Sequence, residues 1–424
     1  MALMLPESIN MFKNVYRREK YLKKIRPFYD SDIIKVITGV RRCGKSFILM
    51  GIMNELLDNG ISNEQIIYIP LDRRGYKNIK TAQELEDKIE SSICNGMQHY
   101  LFIDEVQNVD GFESVVHAYA EEGFSIFLTG SNSYLLSDEI STKLTGRYLN
   151  FETYTLDFYE YLEMKKFFNR TISDDMYVEF EEYMLNGGFP KTLEFAQIQA
   201  RKTYNKGIIS EIFEKDIKKR RRISNVPVYE RVQSFLLNNY SSQFSLNNLL
   251  ECLEKEGYKT KPSTVRSYIE DLKKAKIVYE CNRFDLKSKK SLKREQKYYL
   301  ADLAIYFATN TDNRFSFGPS LENIVYLYLV SHDYQVSIGK IGKLECDFIT
   351  RDANGDYAYI QVAYTLQGGD QESTHRIKER EYRPFREIRD GYPRYIITLD
   401  RFQDRQEGVH HINAIDLFLG KATI

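Results

Sequence analysis

Hydrophobic and polar positions follow four successive patterns along the chain, and the changes between them mark its organisation. In the first, residues 33–38 (Ile-Ile-Lys-Val-Ile-Thr) read as a short buried strand, and apolar residues recur at helical spacing from Phe47 to Leu57. Further β-rich runs follow at 65–71, 100–103 and 125–129, with helix-like segments at 82–94 and 111–121 between them. Strands that alternate with helices predict a parallel, doubly wound α/β sheet over residues 1–150. The strand signal is then lost over 151–225, where 157–168 and 175–185 read as helices of a lid or linker. From 226 to 310 the pattern is three helices (228–237, 246–256, 263–275, the last with Ser263 as its N-cap) and then strands at 277–284 and 297–300 around a basic loop. That order describes a winged helix. The last block, 311–424, has a helix at 321–331, strands at 335–340, 345–350, 357–363 and 395–398, and a charged helix at 371–389.

Composition changes this picture little, and charge changes it more. At 424 residues the chain exceeds one ordinary core, while 42% hydrophobic and 28% charged residues are usual for a soluble globular protein. Lys+Arg and Asp+Glu are both 60, but the second hundred residues carry 6 basic and 18 acidic side chains, and the third 24 and 12. Local excesses of −12 and +12 suggest segments that dock on each other or meet different partners. No run reaches the roughly 18–20 apolar residues of a membrane span, and the N-terminus lacks a signal-peptide pattern, so the chain is expected in the cytoplasm without a membrane partner. The cysteines Cys43, Cys94, Cys252, Cys281 and Cys346 form no CxxC pair and read as small buried hydrophobes; His410–His411 reads as a surface pair.

The chemistry concentrates after the first strand. Gly39-Val-Arg-Arg-Cys-Gly44-Lys45-Ser46 fits GxxxxGK[ST] at a strand-to-helix junction. Glycines let backbone N–H groups close on phosphate oxygens, Lys45 reaches the β/γ-phosphates and the Ser46 hydroxyl ligates Mg²⁺. Gly39, Arg41, Arg42, Cys43, Gly44, Lys45, Ser46 and Phe47 are the candidate nucleotide contacts, with Arg41 and Arg42 equally able to brace the loop through carboxylates. About 60 residues on, Tyr100-Leu-Phe-Ile-Asp104-Glu105 is an apolar strand ending in two carboxylates: Asp104 to hold the metal through water, Glu105 to orient or deprotonate the attacking water. The strand 125–129 ends in Gly-Ser131-Asn132, polar groups placed for a γ-phosphate or for ordinary turn chemistry.

With GVRRCGKS, LFIDEVQNV, FLTGSNSYLL, LTGRY and LNGGFP, the chain resembles the prokaryotic AAA+ ATPases whose P-loop reads GxRRxGKS. The resemblance implies ATP and Mg²⁺ as cofactors, Asn132 or Ser131 as the sensor residue, and Arg147 as a candidate γ-phosphate arginine; an ion-pair role for Arg147 stays open. Gly187-Gly188-Phe189-Pro190 reads as a hinge or tight turn without chemistry.

The basic runs at 215–222 and 287–294, with Ser263, Thr264, Arg266, Ser267 and Lys273 of the third helix, suit duplex DNA; a solvated face or a protein partner is the alternative. In the last block Glu322, Glu345-Cys-Asp347 and Gln361-Val-Ala363 reproduce the order of a PD-(D/E)xK, restriction-endonuclease-like core, but Gln361 and Ala363 replace a carboxylate and the lysine, which opposes DNA cleavage unless Lys340 or Lys343 substitutes. The reading is therefore an AAA+ type ATPase acting on a winged helix and a nuclease-like module, alone or as a homo-oligomer. A nucleotide-gated switch with negligible turnover is the alternative, and a nuclease ranks third.

Overall fold

The computed structural model describes residues 15–94, 96–130, 147–218, 223–288, 290–310, 317–403 and 406–424; of 290–295 it describes the backbone only. The chain divides between residues 153 and 154 into two compact units.

In the first unit, helix α1 (Glu19–Ile25) precedes strand β1 (Ile34–Gly39), helix α2 (Lys45–Asp58), β2 (Ile66–Pro70), α3 (Ala82–Glu90), β3 (Tyr100–Asp104), α4 (Phe112–Glu121), β4 (Ser125–Thr129) and β5 (Tyr148–Thr153). The strands make one sheet in the order β2-β3-β4-β1-β5, every pair parallel. Alternation distributes the side chains of β3 and β4 to two cores: Leu101, Ile103, Ile126 and Leu128 pack on one face, and Tyr100, Phe102 and Phe127 pack with Ile48, Leu49 and Ile52 of α2 on the other. Phe102 and Phe127 stack at 4.6 Å. Lys35 of β1 is fully buried, its ammonium bonded to the Ser31 carbonyl (2.8 Å) and Ser125 Oγ (2.9 Å); burial pushes its pKa down to about 7.

Strand β5 is where the sequence pattern and the structure differ. It is an edge strand, half-exposed along most of its length, so polar Asn150 and Glu152 interrupt the apolar run that marks the central strands. Its pairing with β1, from Ile34↔Tyr148 to Gly39↔Thr153, is a tertiary event.

The second unit begins with helices α5 (Phe158–Phe167), α6 (Met176–Asn186) and α7 (Ile198–Ile212), then α8 (Val226–Asn238), α9 (Leu246–Lys255) and α10 (Pro262–Lys274) and the antiparallel hairpin β6 (Val278–Asp285) and β7 (Lys290–Leu300). Helix α10 starts one residue earlier than expected, with Lys261 at the N-cap position and Pro262 at N1; Ser263 lies inside the first turn and does not cap it. The remainder is α11 (Leu303–Thr309), α12 (Phe317–Ser331), β8 (Gln335–Ile341), β9 (Leu344–Arg351), β10 (Tyr357–Val362), α13 (Gln371–Arg386), β11 (Arg394–Thr398), β12 (His410–Asn413) and α14 (Ala414–Phe418).

The sequence pattern separates residues 226–310 from 311–424, but the structure joins them through one sheet, ordered β12-β11-β10-β9-β8-β6-β7. Strand β6 pairs in parallel with β8 through Arg283↔Ile338 to Asp285↔Lys340, so the hairpin is bonded into the C-terminal sheet along one edge. The Gly187-Gly188 turn is also built in. Gly187 has φ 73°, and a Cβ there would lie 1.8 Å from Asp302 Oδ1. The buried Asp302 carboxylate accepts the N–H groups of Gly188 (2.8 Å) and Ala304 (2.8 Å), capping α11 and fixing the turn together.

Candidate functional site

Between β1 and α2, residues 40–44 form the phosphate-type loop that the GxxxxGKS spacing predicts. Gly39 turns the chain with φ 146°, and a Cβ there would lie 2.1 Å from the Thr153 carbonyl oxygen of β5, so no larger residue fits. The Lys45 ammonium folds back on the loop, donating to the carbonyls of Gly39 (3.0 Å) and Val40 (3.3 Å). Lys45 and Cys43 are buried, Arg41 is half-buried, Arg42 is exposed with φ 70°, and Phe47 is 53% exposed on the first turn of α2. Burial pushes the Cys43 thiol up, in keeping with a packing role.

Arg18, which the sequence reading did not single out, is 3% exposed and donates from Nη1 to the Cys43 carbonyl at 3.0 Å, tying the loop to the segment that opens α1. A single arginine in a charged N-terminal run carries no motif signal.

The register of the sheet brings the carboxylates predicted after β3 to the same end of the sheet as the loop. Ile37↔Thr129 and Ile103↔Leu128 set the ends of β1, β4 and β3 side by side. Asp104 is 3% exposed; Thr129 Oγ1 donates to its Oδ1, Tyr68 OH donates to its Oδ2 at 3.4 Å, and the Ser46 hydroxyl also reaches it. Burial raises its pKa, and the neighbouring charges of Glu105 and Asp72 add to the rise. A buried carboxylate with a raised pKa beside a serine hydroxyl is an all-oxygen donor pair that a divalent cation would stabilise. Ser46 and Asp104 therefore fit Mg²⁺.

Glu105 has a left-handed backbone, φ 60°, and its N–H donates to Thr129 Oγ1 at 3.0 Å. Its Oε2 accepts a hydrogen bond from Gln107 Nε2. Thr129, Tyr68 and Gln107 thus complete the site without having been named from sequence. Thr129 carried the clearest signal, a hydroxyl closing an apolar strand next to the Gly-Ser-Asn turn.

Not every predicted residue joins them. Arg147 precedes β5, and its carbonyl accepts the Ile34 N–H (3.0 Å) at the start of β1, whereas the phosphate-type loop follows the end of β1. A six-residue strand is about 17–20 Å long, so within one chain the Arg147 guanidinium lies at the far end of the sheet. There it is exposed and paired with Glu121 at 2.8 Å. Ser131 and Asn132 lie outside the described residues.

A second constellation lies in the C-terminal sheet. Ala363 is buried, and an ammonium that meets the carboxylates of this sheet is that of Lys297 of β7. Lys297 Nζ lies 3.0 Å from Glu322 Oε1, 2.9 Å from Glu345 Oε1 and 3.6 Å from Asp347 Oδ1. Tyr299 OH donates to Glu322 (2.8 Å), Arg283 pairs with Glu345 (2.9 Å), Val362 N–H donates to Asp347 (2.8 Å), and Gln361 links the Asp347 N–H to Glu381. Burial opposes the charge on Lys297, but the three carboxylates hold its pKa above the ordinary value. Burial and then the charge of Glu322 push Asp347 up to about 8. Among the described residues no three His, Cys, Asp or Glu side chains are grouped to hold a metal ion.

The basic region is less free than its composition suggests. Ser263 and Arg266 of α10 are exposed and Thr264 and Ser267 half-buried, but Lys273 is engaged by Glu270 (2.7 Å) and Glu280. Residues 219–222 and 289 lie outside the described set. No helix among the described residues is long and apolar enough to cross a membrane.

Comparison with known proteins identifies relatives of the chain and a domain in each unit. Residues 31–162 match the family model of an AAA domain, and residues 177–314 match a domain of unknown function, DUF8612. An uncharacterized protein of Haemophilus influenzae is 32% identical over 413 residues, 96% of this chain and 100% of that one. A second, from Methanocaldococcus jannaschii, is 28% identical over 342 residues, 78% of this chain and 75% of its own length. Among solved structures, the Walker-type ATPase PABY2304 of Pyrococcus abyssi aligns with a TM-score of 0.49 at 18% identity, covering 69% of this chain and 95% of that one. The RuvB Holliday junction branch migration motor of Thermotoga maritima aligns with a TM-score of 0.31 at 18% identity, covering 62% and 89%.

Proposed function

The chain belongs to the same family as the uncharacterized Haemophilus influenzae protein and carries a P-loop AAA-type ATPase domain, and on that premise we propose that it binds ATP with Mg²⁺ and hydrolyses it. The observation that carries this reading is the meeting of Lys45 and Ser46 with Asp104, Glu105 and Thr129 at the carboxyl end of the parallel sheet. On nucleotide entry Lys45 exchanges the neutral carbonyls of Gly39 and Val40 for charged phosphate oxygens, which accept stronger hydrogen bonds. The loop amides and the N-terminus of α2 face the same charge, with Arg41, Arg42, Cys43 and Phe47 around it. Ser46 and Asp104 hold the Mg²⁺, which when bound neutralises charge on the β- and γ-phosphate oxygens. Glu105 takes the proton of the attacking water, and Thr129 keeps its backbone in register with Asp104. Ser131 and Asn132 follow β4 and serve as γ-phosphate contacts. Arg147 enters as a residue offered to a neighbouring copy, since its own nucleotide site is at the other end of β1.

Lys45→Ala is expected to weaken ATP binding by at least about 100-fold in calorimetry. Glu105→Gln is expected to keep ATP bound within about three-fold while turnover falls by about 10²-fold or more. Undiminished turnover in Glu105→Gln removes that residue from the base role, and a wild-type chain that binds ATP without steady-state hydrolysis is the nucleotide-gated switch.

For the second unit we propose a winged helix, residues 226–310, and a restriction-endonuclease-like fold, 311–424, that together bind duplex DNA or a protein partner. The exposed Arg266 and Ser263 on α10 support the DNA reading, and the engagement of Glu322, Glu345 and Asp347 by Lys297 speaks for a binding rather than a cleaving role.

A further inference from the structure

Gln107 lies on the single 3-10 turn Val106–Asn108 that leaves the end of β3. The turn is anchored at its start: the Glu105 N–H donates to Thr129 Oγ1 and the Glu105 carbonyl accepts the Asn108 N–H at 3.0 Å. A non-glycine residue with φ 60° is uncommon, and here both backbone groups of Glu105 are committed. The backbone of Glu105 is therefore fixed, but its side chain still has rotatable bonds. Among the described residues the group that restrains the carboxylate is the Gln107 amide, whose Nε2 donates to Glu105 Oε2. The other end of that amide, Oε1, is buried and has no hydrogen-bond partner among the described residues.

The orientation of the amide follows from this. An ionised carboxylate only accepts, so the NH₂ end must face Glu105, and turning the amide over would set two acceptors against each other.

We propose that Gln107 is the positioning residue for Glu105, holding its carboxylate in the direction from which it deprotonates water. The inference rests on Glu105 being the base. Gln107 acts through Glu105 alone, so its loss affects the chemical step and not the grip on nucleotide.

Single-turnover hydrolysis of bound ATP and affinity for a non-hydrolysable ATP analogue are measured in the full-length wild type, Gln107→Met, Gln107→Glu, Glu105→Gln and the double variant Glu105→Gln/Gln107→Met. Both Gln107 variants are expected to lose about 10-fold or more in rate with analogue affinity within about two-fold, because misplacing the base slows proton transfer in the chemical step and leaves the nucleotide contacts in place. Gln107→Glu keeps the shape of glutamine, so a fold lost in Gln107→Met alone leaves the test intact. The double variant is expected to be no slower than Glu105→Gln, since a residue that works only through another adds nothing once that one is gone. Full rate in the Gln107 variants while Glu105→Gln is inactive overturns this inference and leaves the base assignment standing. Equal losses of rate and affinity, or a further loss in the double variant, assign Gln107 to structure and overturn it too. Undiminished hydrolysis in Glu105→Gln, or none in the wild type, overturns the base assignment and the inference with it.

Discussion

Lys45 and Lys297 are both buried lysines, and their partners separate two kinds of chemistry. Lys45 is held by two neutral carbonyls of its own loop, a weak set of acceptors that a phosphate readily replaces. Lys297 is held by Glu322 and Glu345 with Asp347 beside them, a set that a ligand would have to outbid with the charges already desolvated. Removing one partner of a buried ion network leaves charge uncompensated, so Lys297→Met is expected to destabilise the second unit by about 3–5 kcal/mol in urea unfolding. A loss below about 1 kcal/mol would mean that Asp347 and Glu322 simply take up protons and that Lys297 is not the centre of the network. Sequence order pointed to the carboxylates, but Lys297 lies 25 residues before Glu322 on a strand read as part of another module. Only folding of the hairpin onto the sheet makes them neighbours.

At the scale of elements, Asp302 joins pieces distant in sequence. Its carboxylate caps α11 and at the same time accepts the Gly188 N–H, and Leu156 N–H donates to the Gly188 carbonyl at 2.8 Å. Burial raises the Asp302 pKa to about 6, offset in part by those backbone N–H groups. A carboxyl whose folded pKa lies above its unfolded value binds its proton more tightly in the folded state. The contribution of Asp302 to stability is therefore expected to fall as pH rises from about 4 to 6, and that of Asp347 to fall on to about 8, while ion-paired carboxylates such as Glu182 act in the opposite direction. Denaturant unfolding of the wild type and Asp302→Asn between pH 4 and 8 tests this, and a stability difference between them that does not change over pH 4 to 6 contradicts it. The LNGGFP string signalled a tight turn, and sequence could not show what closed it. The central strands, by contrast, were legible because burial on both faces demands unbroken apolar runs, whereas edge strand β5 is under no such demand.

For the whole molecule, the balanced net charge conceals an acidic and a basic hundred residues. If the basic region binds duplex DNA, log K is expected to fall linearly with log salt, with a slope of about −0.9 per phosphate contacted, and Arg266→Ala is expected to reduce that slope by about one. Affinity that does not respond to salt between about 50 and 200 mM favours a protein partner. Internal pairing of Lys273 with Glu270 and Glu280 already removes one cation from the count that composition suggested.

The sequence by itself determined the strands β1 to β4 and the residues of the phosphate-type loop with Asp104 and Glu105. Each of these depends on a local rule: buried strands are continuous and apolar, and a phosphate loop needs its glycines, lysine and serine within eight positions. Tertiary structure alone decided that Thr129, Tyr68 and Gln107 complete that site, that Arg147 lies at the opposite end of the sheet, and that Lys297 fills the carboxylate cluster. The reason is the same in each case. Strand register and the direction of neighbouring strands bring together residues many positions apart, and no local pattern of hydrophobic and polar positions encodes which strand lies beside which.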